Sequence, residues 1–323
     1  MQIGVRICQK MEKDASDVVK QEQKSYRNPP PGNPSCPWLV ICHGREGQRQ
    51  TFYDISEDRC HTRIIPDLRN KWICATSSRE WLFVEDQDSG DCCLWKPASL
   101  EKIRLPPTED LVFSCCFLSS SPSDPQSHVL LVDLGEDVVA FCKPGEDAFK
   151  RHKVEPYISC AAMFKGQIFL LLKYCELAVV DVENSELRIR ALGNKGINWS
   201  NPGGIPASRS YLISSGEDLV VVEEMIYALP MGRIYGFKVF RMNFAEGTWE
   251  ELKSIGDRAI FLSARGGISC SPKDSRVKKN AIYFVQLGDG HIGMYDLEDQ
   301  SISKVSPCSN IDYRPSYLRW IML

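Results

Sequence analysis

WICATSSREWLFVEDQDSGDCCLWKPASLEKIRL, residues 72–105, divides into four short apolar runs separated by polar turns. The runs WICATS (72–77), WLFVE (81–85), CCLWK (92–96) and KIRL (102–105) are β-branched, aromatic or Cys-rich, and too short for helices. The closing hairpin of this unit recurs. Its copies read TFYDISEDRCHTRIIP from Thr51, CLWKPASLEKIRLPP from Cys93, VAFCKPGEDAFKRHKV from Val139, AVVDVENSELRIRAL from Ala178, KVFRMNFAEGTWEEL from Lys238 and IGMYDLEDQSISKV from Ile292. Further apolar runs precede each copy, so the repeating unit is about four strands at the roughly 40 to 50 residue spacing of propeller blades.

Working outward, blade three is expected over 113–118, 129–133, 138–143 and 149–154, and blade four over 159–164, 167–173, 177–182 and 187–191. Blade five follows over 210–214, 218–225, 237–243 and 248–252, and blade six over 259–263, 281–286, 291–296 and 302–305. Two groups lack partners: three N-terminal strands (38–43, 50–55, 62–65) and the run SYLRWIML from Ser316. Joined, they complete one blade, with the C-terminal strand innermost and both open sheet edges paired. The predicted fold is therefore all-β, a propeller of six four-stranded blades over residues 36–323. The long insert 265–280 in blade six has room for a further strand and leaves a seventh blade open. Residues 1–35, charged and then proline-rich (PPPGNPSCP from Pro29), are expected to be a disordered linker tail.

The chain has 323 residues, 43% of them hydrophobic, enough to bury one large β domain. Its net charge is −3 and it carries no basic tract, which argues against a nucleic-acid partner. No run reaches the roughly 20 apolar residues of a membrane helix, and no membrane partner is expected. The 14 cysteines include many inside strands (Cys42, Cys74, Cys115, Cys116, Cys142, Cys160, Cys175), where Cys acts as a small buried hydrophobe. Free thiols throughout and a cytoplasmic or nuclear location are the expectation. No CxxC occurs, and the pairs Cys42, His43 and Cys60, His61 lack a zinc-site spacing, so no metal or other cofactor is expected.

Catalytic groups of propeller enzymes gather at the innermost strands. Here those are ICATSS, FSCCFLSS, SCAAMF, SYLISS, AIFLS and SYLRWIML, none with a carboxylate or histidine. Acids such as Glu85, Asp86, Asp88, Asp91, Glu136 and Asp137 fall in turns, where solvated side chains are the ordinary reading. The glycines Gly266, Gly267, Gly288 and Gly290 read as turn signals, and no GxSxG is present. No catalytic residues are assigned.

WEELKSIGDRAIFLS from Trp249, KKNAIYFV from Lys278 and YDLEDQSISKV from Tyr295 carry a more specific signal. So do PWLVICHG from Pro37, LWKPASLEKIRLPP from Leu94 and SYLISSGEDLVVV from Ser210. Together they resemble the plant KIB-type β-propellers, an F-box-associated family once catalogued only as a domain of unknown function. The resemblance spans about residues 34–323. It implies a non-enzymatic domain that binds a protein, as the substrate-recognition half of a ubiquitin-ligase F-box protein does. Relatives place an F-box ahead of the propeller to dock a Skp1-type adaptor. The tail 1–35 shows no LP-x-x-L-like helical bundle, so no such adaptor is expected to dock through this chain. Within the GDR motif, Gly256 is expected to turn the chain while Asp257 and Arg258 pair at a blade junction, with partner contact as the competing role.

Loops that lead into inner strands and loops that join strands two and three leave the same end of a blade, because alternate strands reverse direction. In blade five both are long: GNKGINWSNPGGIPAS from Gly193 and IYALPMGRIYG from Ile226. They bring Trp199, Tyr227, Met231, Arg233 and Tyr235 into neighbouring loops, a composition of interface hot spots. The competing readings are a small-ligand-binding or hydrolytic propeller using the channel mouth, and a truncated family copy without a function of its own.

Overall fold

A computed structural model describes residues 36–78, 80–108, 111–183, 186–197, 208–226, 234–263, 266–273, 276–286, 291–305 and 318–322. Blade one contains β1 (Trp38–His43), β2 (Arg49–Asp54) and β3 (Arg59–Arg63), and blade two β4 (Lys71–Ala75), β5 (Leu82–Asp86), β6 (Cys92–Lys96) and β7 (Glu101–Leu105). Blade three is β8 (Cys115–Leu118), β9 (Val129–Asp133), β10 (Val138–Cys142) and β11 (Lys150–Lys153). Blade four is β12 (Ile158–Phe164), β13 (Gln167–Leu172), β14 (Leu177–Glu183) and β15 (Glu186–Ala191). Blade five is β16 (Ser208–Ser215), β17 (Asp218–Ile226), β18 (Ile234–Asn243) and β19 (Thr248–Leu252). Blade six holds β20 (Ala259–Ser263), β21 (Gly266–Cys270), β22 (Ala281–Val285), β23 (Ile292–Asp296) and β24 (Ile302–Val305). The last strand, β25 (Leu318–Ile321), returns to blade one.

β25 pairs antiparallel with β1, setting Trp38 opposite Ile321 and Ile41 opposite Leu318, so the ring closes as the orphan strands predicted. Six apolar clusters fill the six interfaces between neighbouring blades. β5 shows how the residues produce this. Leu82 and Val84 point toward blade one, beside Trp38 and Trp95, while Phe83 points toward blade three and meets Phe113 edge-on at 4.7 Å. A strand buried on both faces reads as a continuous apolar run rather than an alternating one. Burying one such ring as Phe83 stabilises the fold by roughly 1.5–3 kcal/mol.

Four of the turns share one side-chain device, two in the recurring closing hairpins (Asp54, Asn243) and two between strands two and three (Asp86, Asp133). An Asp or Asn ends a strand and folds its Oδ1 over the next backbone amides. Asp54 takes Ser56 and Glu57, Asp86 takes Asp88 and Ser89, Asp133 takes Gly135 and Glu136, and Asn243 takes Ala245 and Glu246. Asp54 also explains a shift from expectation. Its turn closes within residues 55–58, so the outer strand of blade one starts at Arg59 rather than near Thr62.

The insert in blade six contributes a fifth strand and no seventh blade. The sheet order is β21-β20-β22-β23-β24, with β20 and β22 parallel. GGISC (266–270), rather than AIFLS, is thus the innermost strand, and AIFLS lies one position out with every residue buried. Gly266 and Gly267 are strand residues here, not turn residues. A Cβ at 267 would lie 2.6 Å from Ile213 Cδ1 and 2.7 Å from Leu262 Cδ2, so glycine lets β21 seat against β16.

Cys60, exposed on the outer strand β3, is disulfide-bonded, and its partner lies outside the described residues. This corrects the expectation of free thiols throughout. A sulfur on an outer strand can be reached by another segment, whereas strand-buried thiols cannot. The other described cysteines form no disulfide. Burial pushes Cys42 up to about 11 and Cys116 and Cys160 well above the usual thiol range.

Candidate binding face

The channel on the propeller axis holds a cavity of about 350 Å³. Each blade contributes to its wall, for example Trp320, Thr76, Cys116, Ala162, Ser214 and Ser269 in blade order. Among the described lining residues there is no carboxylate or histidine, and Arg319 is the one charged group. Its guanidinium stacks over Trp72 at 4.2 Å and donates to the Leu318 carbonyl at 2.8 Å. Hydroxyls, thiols and indoles can hold a ligand. Hydrolysis by a pair of acids would need carboxylates that this wall does not present.

A different surface stands out at the end of the blades where lead-in loops and strand two to three loops emerge. Of the eight exposed large hydrophobic residues among those described, Ile64, Val112, Tyr157, Tyr174 and Tyr235 all lie at that end. Leu100, Phe244 and Ile302 belong to the opposite hairpins. Ile64, Val112 and Tyr157 precede the inner strands of blades two, three and four, Tyr174 joins strands two and three of blade four, and Tyr235 opens β18.

In blades three and four these positions are linked by hydrogen bonds. The Val112 amide donates to Asp133 Oδ2 at 3.1 Å, and Asp133 Oδ1 accepts the Gly135 and Glu136 amides at 2.9 and 3.1 Å. From the same turn, Asp137 Oδ1 accepts the Ile158 amide at 2.8 Å, which fixes the neighbouring Tyr157. Ile158 faces Leu172 across the ladder, two residues before Tyr174. Tyr174 has φ 62, a region uncommon for a bulky residue. Gly196 of the next blade passes so close that a Cβ there would lie 2.1 Å from the Tyr174 carbonyl oxygen.

A family model described as the KIB1-4 beta-propeller matches residues 52–296. The chain belongs to that family. A putative F-box protein of Arabidopsis thaliana is 22% identical, over 95% of this chain and 86% of that protein. The Arabidopsis thaliana F-box/kelch-repeat protein KIB1 is 24% identical, over 78% of this chain and 66% of its own. Among solved structures, a streptogramin B lyase aligns with a TM-score of 0.41 and 11% identity, over 92% of this chain and 93% of that one.

In this KIB1-4 propeller, Trp199, Tyr227, Met231 and Arg233 lie outside the described residues. Tyr235 is described, at the same end of the strands as Tyr157 and Tyr174 and 40% exposed. The sequence reading passed over Val112, Tyr157 and Tyr174. The signal they carry is an apolar or aromatic residue in a short turn, where Gly, Asn or Asp is the usual choice. The GDR segment binds within the KIB1-4 propeller itself. Gly256 turns the chain at φ 66, and Arg258 Nε reaches Ser215 Oγ at 3.0 Å and Ser269 Oγ at 2.9 Å, across the junction of blades five and six. Asp257 accepts from Ser271 Oγ at 2.6 Å, so the expected junction role belongs to Arg258, and both residues take serine hydroxyls as partners.

Below the blade-five loops, Glu223 and Glu224 are buried on successive positions of β17. They point to opposite faces, Glu223 accepting from Ser210 and Glu224 from the Tyr211 hydroxyl at 2.8 Å. Burial raises the Glu224 carboxyl above the usual range, opposed by the Tyr211 hydrogen bond and the nearby Arg209.

Proposed function

We propose that this chain is a non-enzymatic, protein-binding propeller that recognises its partner through the end of the blades carrying Ile64, Val112, Tyr157, Tyr174 and Tyr235. The clustering of exposed apolar side chains at one end carries the reading, since surplus apolar surface on one face marks an interaction site. Trp199, Tyr227, Met231 and Arg233 extend the proposed surface onto blade five. The F-box proteins among its relatives support a substrate-recognition role of the kind used by ubiquitin ligases. The absence of a carboxylate or histidine from the described channel wall supports binding over hydrolysis.

The test is quantitative affinity purification from Arabidopsis thaliana extract with wild type and two variants, Y157S/Y174N and W199A/R233A/Y235A. A specific protein retained by wild type and depleted by either variant is the expected result. Recovery of a Skp1-type adaptor alongside it would carry the ligase role. A partner retained equally by wild type and both folded variants would place recognition on another surface.

A further inference from the structure

We infer that the axial channel is a binding site for a small organic monocarboxylate, its carboxylate held by Arg319 and its apolar body by the aromatic and aliphatic side chains of the wall. The site is separate from the partner face proposed above and stands without it.

Charge decides the class of ligand. Among the described residues that line the cavity of about 350 Å³, Arg319 alone carries a charge, and no carboxylate or histidine accompanies it. The charges of the adjoining pockets are matched among themselves. Lys71, in the small pocket that shares Arg319 and Trp72, bonds Asp86. Glu80, in the pocket that continues the channel past Ser77, Ser78 and Trp81, is bridged by Lys96 at 2.8 Å. A monoanion balances the single charge of the wall. A cation would meet no acid, and a phosphate dianion would leave one charge uncompensated against a partly apolar lining.

Geometry gives the carboxylate its seat. The Arg319 guanidinium lies over Trp72 at 4.2 Å and donates to the Leu318 carbonyl at 2.8 Å, so its plane is set before a ligand arrives. A planar guanidinium matches the two oxygens of a carboxylate in a way that a point charge does not. Phe117, Met163 and Ile268, from blades three, four and six, supply apolar wall, and Ser214 of blade five adds a hydroxyl. The volume falls at the small end of the roughly 300–1,000 Å³ range of ligand pockets, so the ligand is small.

The experiment titrates the full chain with a matched panel, read by ligand-observed NMR. The panel holds phenylacetate, benzoate and hexanoate, the three corresponding amides, phenethylamine, and sulfate. At least one carboxylate is expected to bind with a Kd of about 1 mM or tighter, the scale open to so few atoms. Its amide should bind at least about tenfold more weakly, since the charge-assisted pair is lost, and phenethylamine should not bind. Arg319→Met should remove the preference for acid over amide. Ser214→Phe, which narrows the channel from blade five and leaves Arg319 in place, should exclude both. Melting curves establish that each variant is folded, and the comparison of acid with amide on wild type stands without any variant. The inference is overturned if no carboxylate binds, if the amides bind as tightly, or if sulfate displaces the bound acid at equal concentration. It is overturned equally if either folded variant binds as wild type does. Arg319 would then be only a brace between blades one and two, and the partner face, which none of these changes touches, would keep its own test.

Discussion

The indole N–H of Trp320 donates to the main-chain carbonyl of Leu262 at 3.1 Å, joining the last strand of the chain to blade six. The same indole stands edge-on to Phe261 with ring centroids 4.9 Å apart. Since β25 also completes blade one through β1, Trp320 lies where both ends of the ring meet.

Trp320→Ala is therefore expected to destabilise the propeller by about 3–5 kcal/mol, the range for emptying a buried aromatic site. Trp320→Phe, which keeps a ring but loses the hydrogen bond, should lose less, about 1 kcal/mol from the bond itself. Urea denaturation of both proteins checks the order. Removing residues 318–323 altogether should leave β1 as an open edge and produce aggregation. A soluble truncation that melts like wild type would contradict the closure.

Gly196→Ala should disturb the turn that carries Tyr174. The added methyl would fall 2.1 Å from the Tyr174 carbonyl oxygen, a main-chain atom that cannot rotate away. The expected loss is about 1–3 kcal/mol. Gly266→Ala, whose added methyl would meet nothing within 4 Å, is the matched control and should stay near wild type. Equal melting temperatures for the two variants would show that the 196 loop yields without cost.

Glu224→Gln tests the buried carboxyl. Between the ordinary glutamate range and the raised value in the fold, the folded chain keeps a proton that the unfolded chain releases, so this group's contribution to stability falls as pH rises through that window. Glutamine still accepts from the Tyr211 hydroxyl and has no charge to desolvate. The variant should melt above wild type at neutral pH, and the difference should vanish as pH falls below about 4. A pH-independent difference would exclude titration of Glu224 as its source.

Native alkylation tests the thiols. With Cys116 and Cys160 held protonated by burial and Cys42 pushed up to about 11, iodoacetamide at mildly alkaline pH should leave all three unmodified until denaturant is added. Peptide mapping reads this site by site. Rapid native labelling of Cys116 would mean that the interface between blades two and three opens readily.

The sequence made the blades legible because each strand is sandwiched between two neighbours. Continuous apolar runs such as WLFVE and AVVDV then stand out against turns closed by Asp or Asn. The path within blade six was less legible. AIFLS and GGISC are both plausible inner strands by composition, and only the clash-free approach at Gly267 decides which one lines the channel. The proposed binding face was half legible. Long loops drew the expectation to blade five, while Val112, Tyr157 and Tyr174 occupy short turns, the first two held by amide hydrogen bonds to Asp133 and Asp137 that no local pattern announces.

The pairing of β25 with β1 also sets a timetable for synthesis. Blade one begins with Trp38, yet its innermost strand is made only once the chain reaches Ile321. Blades two to five can form behind the ribosome while the first blade waits, its edge unpaired and its Leu39 and Ile41 side, which meets blade six, uncovered. Until β25 arrives, such an unpaired edge is open to pairing with other chains. The first sheet edge is therefore covered only by the last strand, and the ring is complete only once Ile321 is in place.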